Sequence, residues 1–236
     1  MALRFLIFFL LLSFTGGAVF TLKNNCRYTV WPGIQPGSGH PVLANGGFSL
    51  HPNRSVSVTA PNNWSGRFWP RTSCHFDQNG IGKCVTGDCG TGLQCTGTGG
   101  APPASLAEFT LNAPVDFYDV SLVDGYNIPV SIFPSLTAKG SAECHAVQCV
   151  GDLNKRCPKA LQMVQGGRLV GCKSACLAFG TPEYCCTGAY ASPSTCQASR
   201  YAKAFKAACP TSYSYAYDDA TSTFTCPGAD YTIKFC

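Results

Sequence analysis

The chain has 236 residues, is 45% hydrophobic and only 12% charged, and carries a formal net charge of +5 at pH 7. Its basic residues are scattered, Lys155-Arg156 being the densest pair, which excludes the basic stripe that grips nucleic acid. A length of this order closes one substantial core with satellite loops or two small domains, and the mild positive charge favours anionic surfaces weakly and in a salt-dependent way.

The chain opens MALRFLIFFLLLSFTGGAVF. Arg4 precedes an apolar run from Phe5 to Leu12, and small residues follow at Thr15, Gly16, Gly17 and Ala18, which predicts a cleaved secretory signal over residues 1–17. The run is far shorter than the ~20 apolar residues of a membrane span. Residues 18–73 read as the first part of a β core: VFTLKNN, YTVWPG and FSLHPNRSVSVTAP are short runs of β-branched and aromatic residues broken by Pro, Gly and Asn. Ser55 to Thr59 alternates Ser and Val as a half-buried strand does. Residues 74–95 hold cysteines and turn formers with little room for a core, and read as a small stapled loop lobe. Residues 96–143 return to the core with EFTLN, DFYDVSLVD and IPVSIFP.

Residues 144–209 are rich in cysteine and hold the helical signals. CPKALQMV, KSACLAF and SRYAKAFKAAC place apolar residues at helical spacing, with stops at Gly166-Gly167 and Gly180, so the segment reads as a disulfide-rich lobe with short helices. AKAFKAA is too short, and its apolar face too small, for stable membrane insertion. Residues 210–236 supply the last core strands, TFTC and YTIKFC. Many short strands separated by Gly/Pro turns predict an all-β sandwich or barrel.

The 16 cysteines are an even number, and in an exported chain they read as eight disulfides. No C-x-x-C pair occurs; the nearest approach is Cys172-Lys-Ser-Ala-Cys176, and His40, His51, His75 and His145 are scattered, so neither a metal site nor a cofactor is expected. Cys185 and Cys186 are adjacent, a bond between them would be strained, and each therefore needs its own partner. Spacing alone leaves the pairing open. Asn53-Arg-Ser55 and Asn63-Trp-Ser65 are candidate N-glycosylation sequons.

Asp116, Asp119 and Asp124 crowd one strand-and-turn of a chain with only 12 acids. Asp119 and Asp124 would face opposite sides of a regular strand. Asp124-Gly125 reads as a turn, however, which ends the alternation and lets both carboxylates meet on one rim. The alternative is an ordinary turn in which Asp bonds its own backbone. Tyr126 is either a platform for a sugar ring or a core residue. No catalytic triad is supported, because the histidines lack a Gly-x-Ser-x-Gly or similar context.

GIGKCVTGDCGTGLQC (80–95) resembles the signature of thaumatin-like proteins, and the likeness spans the chain after the signal. It includes NNCRYTVWPG (24–33), WSGRFWPRTSC (64–74), PPASLAEFTLN (102–112), DFYDVSLVDGYNIP (116–129), FGTPEYCCTG (179–188), YSYAYDDATSTFTCPG (213–228) and Cys236. The resemblance implies a flattened antiparallel β-sandwich core with two disulfide-rich loop lobes, one containing short helices. It implies the pairs Cys26–Cys236, Cys74–Cys84, Cys89–Cys95, Cys144–Cys226, Cys149–Cys209, Cys157–Cys172, Cys176–Cys185 and Cys186–Cys196. It also implies an acidic interdomain cleft formed by Arg67, Glu108, Asp119, Asp124 and Asp218, all of which are matched here.

Such a cleft suits a polysaccharide, because carboxylates accept hydrogen bonds from hydroxyls. The expected protein is a monomeric, secreted plant defence factor of the extracellular space or apoplast, with the vacuole as the second destination. It would bind β-1,3-glucan of the fungal cell wall. A weak endo-β-1,3-glucanase would instead use Glu108 and Asp124, whose carboxyls would then stand about 5 Å apart for retention or about 6.5–9.5 Å for inversion. Arg67 is expected to hold Glu108 ionised, which would make it a poor acid and places binding first. A ripening-associated or structural allergen-type protein, or an inhibitor of foreign hydrolases, is also compatible with the resemblance.

Overall fold

The computed structural model describes residues 17–112, 114–135 and 144–236. The signal segment read over residues 1–17 lies outside the described residues except for Gly17. In chain order the strands are β1 (Val19–Asn24), β2 (Trp31–Pro36), β3 (Ser55–Thr59), β4 (Ser65–Arg71), β5 (His75–Phe76) and β6 (Gly82–Lys83). They continue as β7 (Leu106–Thr110), β8 (Asp116–Ser121), β9 (Val130–Pro134), β10 (Val147–Gln148), β11 (Gln162–Gln165), β12 (Arg168–Cys172), β13 (Phe224–Cys226) and β14 (Tyr231–Phe235).

Two five-stranded sheets form a sandwich. One has the order β10-β9-β14-β1-β3 and the other β13-β8-β7-β4-β2. Pairing within both is antiparallel except between β1 and β14, which run parallel. Cys26 and Cys236 follow the ends of those two strands and are bonded to each other. The loop so closed, with a sequence separation of 210, is worth about 5 kcal/mol on the chain-entropy view. The remaining seven bonds are Cys74–Cys84, Cys89–Cys95, Cys144–Cys226, Cys149–Cys209, Cys157–Cys172, Cys176–Cys185 and Cys186–Cys196.

Side chains alternate across a strand, so each strand sends every second residue into the space between the sheets. That space is filled by rings. Phe20 of β1 lies 4.7 Å from Phe109 of β7 and 4.8 Å from Phe68 of β4, and Phe109 lies 5.1 Å from Tyr231 of β14, centroid to centroid. All four are buried. The edge strand β3 is a poorer fit to the alternation read from its sequence, because Val58 is buried but Val56 remains 37% exposed.

Two polar residues lock the loop lobe to this frame. The buried Asn127 donates through Nδ2 to the Pro70 carbonyl and the Thr86 hydroxyl, and its Oδ1 accepts from the Ser105 and Ile128 amides. Arg71, fully buried, donates to the carbonyls of Trp31, Pro32, Gly92 and Leu93. Removing either residue would leave buried polar groups unpaired, at about 1–3 kcal/mol each.

The helical lobe holds α1 (Ala175–Phe179), α2 (Pro182–Cys185) and α3 (Arg200–Ala208). Ser174 and Ser199 cap α1 and α3 by accepting from the Leu177 and Ala202 amides, and Gly180 ends α1 in the left-handed conformation. The helix read over CPKALQMV does not form. Lys159–Leu161 make a 3-10 turn, and Gln162 to Gln165 become β11, paired with β12. Gly166 and Gly167 both have positive φ, which suits the two-residue turn of a hairpin, and Cys157–Cys172 ties the base of β12.

Phe109→Ala is expected to lower the unfolding free energy by about 3–5 kcal/mol in a guanidinium titration with the disulfides intact. A loss below about 1 kcal/mol would contradict the central position of Phe109.

Candidate functional site

The outer face of the second sheet carries the polar half of the alternation. Across β2, β4, β7 and β8 the register pairs Gln35 with Arg67, Arg67 with Glu108, and Glu108 with Asp119. Four residues from distant parts of the chain thus form one row. Arg67 donates from Nε to Gln35 Oε1 at 2.8 Å, while its Nη1 stands 3.9 Å from Glu108 Oε1 with both side chains 36% exposed. The guanidinium is therefore clamped by Gln35 and only loosely paired with the acid. Gln35 in turn donates to the Gly97 carbonyl, and an added Cβ at Gly99 would stand 3.1 Å from Arg67 Nη2, so this loop walls one side.

Asp124 reaches the same place from the turn after β8. The Gly125 amide closes that turn on the Leu122 carbonyl, and the Asp124 carbonyl accepts from the Ala104 amide. Gly125 has φ +90° and no room for a side chain, since an added Cβ would meet Pro103 at 2.7 Å and the Cys172 carbonyl at 2.8 Å. Arg67, Glu108, Asp119, Ser121 and Asp124 line a depression of about 390 Å³, closed opposite by Tyr213, Ala216 and Asp219.

One expected member lies elsewhere. Asp218 is not a trough residue in this arrangement: its Oδ2 accepts from Lys206 Nζ at 3.0 Å and from the Ser214 amide and hydroxyl, and its Oδ1 accepts from Thr221. Those bonds hold its carboxyl below the ordinary range against the opposing effect of burial. Its neighbour Asp219, first residue of the helix α4 (Asp219–Ser222), takes the trough position and accepts from the Tyr213 hydroxyl at 2.8 Å. Tyr126 is a core residue, fully buried with its hydroxyl donating to Asp152, so it offers no face to a ligand. Asn53 and Asn63 are exposed in turns at φ +60°. Among the described residues no group of three or more His, Cys, Asp or Glu is placed to hold a metal ion.

The crowding has electrostatic consequences. Asp119 is pushed up to about 8 by burial first, then by Glu108 and Asp219. Its Oδ1 is buried without a hydrogen-bond partner. Glu108 is also raised, by burial and by Asp124, and Arg67 opposes this without reversing it. The net lowering expected of Glu108 is thus not found, because its contact with Arg67 is long and the desolvation larger.

The sequence does not mark Gln35, Tyr213 or Asp219 as site residues. The Asp218-Asp219 doublet was the available signal for the last, but which of two adjacent acids turns inward depends on the start of α4. Gln35 carries no such signal, and only its strand register brings it to Arg67.

The sequence profile of the Thaumatin family matches residues 24–236, and the chain belongs to that family. It is 60% identical over 221 residues to pathogenesis-related thaumatin-like protein 3.5 of Cryptomeria japonica, covering 94% of this chain and 90% of that one. It is 55% identical over 236 residues to pathogenesis-related protein 5 of Arabidopsis thaliana, covering 98% and 96%. In fold it is similar to a laminaripentaose-producing β-1,3-glucanase solved with laminaritetraose, with a TM-score of 0.64, 11% identity and coverage of 93% and 98%. It is also similar to a thaumatin-like xylanase inhibitor, with a TM-score of 0.51, 24% identity and coverage of 92% and 98%.

Between pH 3.8 and about 8 the folded protein keeps a proton on Asp119 that the unfolded chain has released. Stability therefore falls as pH rises through that window. Asp119→Asn is expected to stabilise the protein at pH 8 and to matter little at pH 4, as read from guanidinium unfolding at both values. Equal effects at the two would contradict the assignment.

Proposed function

We propose that the chain is a secreted, monomeric defence protein that binds the β-1,3-glucan of fungal cell walls through its acidic trough. The observation that carries the reading is the row of Arg67, Glu108 and Asp119 joined by Asp124 and Asp219 in one open depression. Ionised carboxylates accept hydrogen bonds from sugar hydroxyls, and a protonated Asp119 donates one, so the trough offers both roles to a polyol. The names of the relatives, pathogenesis-related proteins, support the defence role. The glucanase with a bound β-1,3-linked tetrasaccharide lends support from the fold alone. Among the described residues no helix is long and apolar enough to cross a membrane.

A pull-down on insoluble β-1,3-glucan tests this. Glu108→Gln, Asp124→Asn and Asp219→Asn are each expected to weaken retention by about tenfold to a hundredfold, the worth of a hydrogen bond to a charged group. Retention of all three at the level of the native protein would remove the trough from the binding role.

A second reading, slow endo-β-1,3-glucanase action, is favoured by one observation. Burial raises Glu108 from its ordinary value, the direction that favours a general acid, and it shares the depression with Asp124. Glu108 would protonate the leaving oxygen and Asp124 would act as nucleophile or base. Release of reducing sugar from soluble β-1,3-glucan, abolished in Glu108→Gln and in Asp124→Asn, is the expected result. Absence of release from the native protein leaves binding as the whole activity.

A further inference from the structure

The large aromatic residues of β4, β7 and β8 are buried, with one exception. Phe68, Trp69, Phe109 and Tyr118 are covered, but Phe117 of β8 is 44% exposed on the outer face. A single exposed apolar residue is ordinary on a protein surface. The position of this one is not ordinary. It is the next outward residue along β8 from Asp119, and the register sets it between Thr110 of β7 and Thr225 of β13. It lines a second depression of about 370 Å³ with Ser65, Thr110 and Thr223. Arg67, Glu108 and Asp119 line both this depression and the acidic one, so the two adjoin.

The chemistry changes along the floor. The acidic end presents carboxylates, whereas the far end presents one aromatic ring surrounded by hydroxyls of Ser and Thr. A pyranose has the matching duality: an apolar face of C–H groups and a rim of hydroxyls that donate and accept. We propose that the trough extends past Asp119 to an additional sugar subsite, where the Phe117 ring stacks on a pyranose and Ser65, Thr110 and Thr223 bond its hydroxyls. This rests on the glucan reading above and specifies the length of chain that the site takes. From Ser121 to Phe117 the strand advances about 13 Å, and Asp124 lies beyond Ser121. A disaccharide seated at the Asp124 and Ser121 end stops short of Phe117; a longer oligosaccharide lying along β8 reaches it.

The test is calorimetric titration with β-1,3-linked glucose oligomers, from the disaccharide to the hexasaccharide, against the native protein, Phe117→Ala, Phe117→Trp and Asp124→Asn. Phe117→Ala is expected to lose about tenfold in affinity for the hexasaccharide and nothing for the disaccharide, the loss corresponding to a partly buried ring face. Phe117→Trp is expected to keep or improve hexasaccharide binding, and Asp124→Asn to weaken every length. Hexasaccharide binding unchanged in Phe117→Ala but weakened in Asp124→Asn would overturn the subsite and leave the acidic trough standing. An equal loss at all lengths in Phe117→Ala would assign the residue a structural role and also overturn the subsite. Failure of the native protein to bind any length would overturn both readings.

Discussion

The register between β4, β7 and β8 is the constraint on which the molecule turns. Arg67 precedes Phe68, Glu108 precedes Phe109, and Asp119 follows Tyr118, so each trough residue is the chain neighbour of a buried ring. A slip of one residue in any of the three strands would exchange the faces. It would drive a charge between the sheets and a ring into water. The aromatic core and the polar trough are thus one arrangement seen from two sides, and the hydrophobic free energy of the rings holds the charged row in place.

That row is held against its own repulsion. Like charges opposite each other across strands are unfavourable, and Glu108 and Asp119 stand directly opposite. The molecule meets this strain in three ways: Asp119 keeps its proton, Arg67 lies on the far side of Glu108, and Gln35 fixes the guanidinium there. The adjacent acids Asp218 and Asp219 divide the remaining labour. One anchors Lys206 and the chain leading into α4, and the other faces the trough. The net charge of +5 is a property of the whole surface and says nothing about this local field.

Much of this is legible in the sequence. Alternation along VFTLKNN, GRFWPR, EFTLN and DFYDVSLVD marks strands, and the family resemblance names Arg67, Glu108, Asp119, Asp124 and Asp218 as one set. What a single sequence does not carry is pairing. Nothing in GRFWPR or EFTLN says that Arg67 meets Glu108, and nothing in YTVWPGIQP says that Gln35 meets Arg67. CPKALQMV shows a limit of another kind: its local spacing is helical, yet the hairpin turn at Gly166-Gly167 and the bond from Cys157 to Cys172 recruit its second half into a strand. Tertiary demands outweigh a weak local preference there. Asp218 and Asp219 differ by one step of chain, and the choice between them waits on where a four-residue helix begins.

The disulfide between Cys26 and Cys236 joins the two ends of the framework, and the seven others subdivide the circuit it closes. Scission of one peptide bond anywhere inside that circuit opens the chain without dividing it. Both sides of the break remain covalently one molecule, and the paired sheets still hold the severed ends near each other. A protease working inside the circuit must therefore cut at two places within one subdivision before any fragment departs.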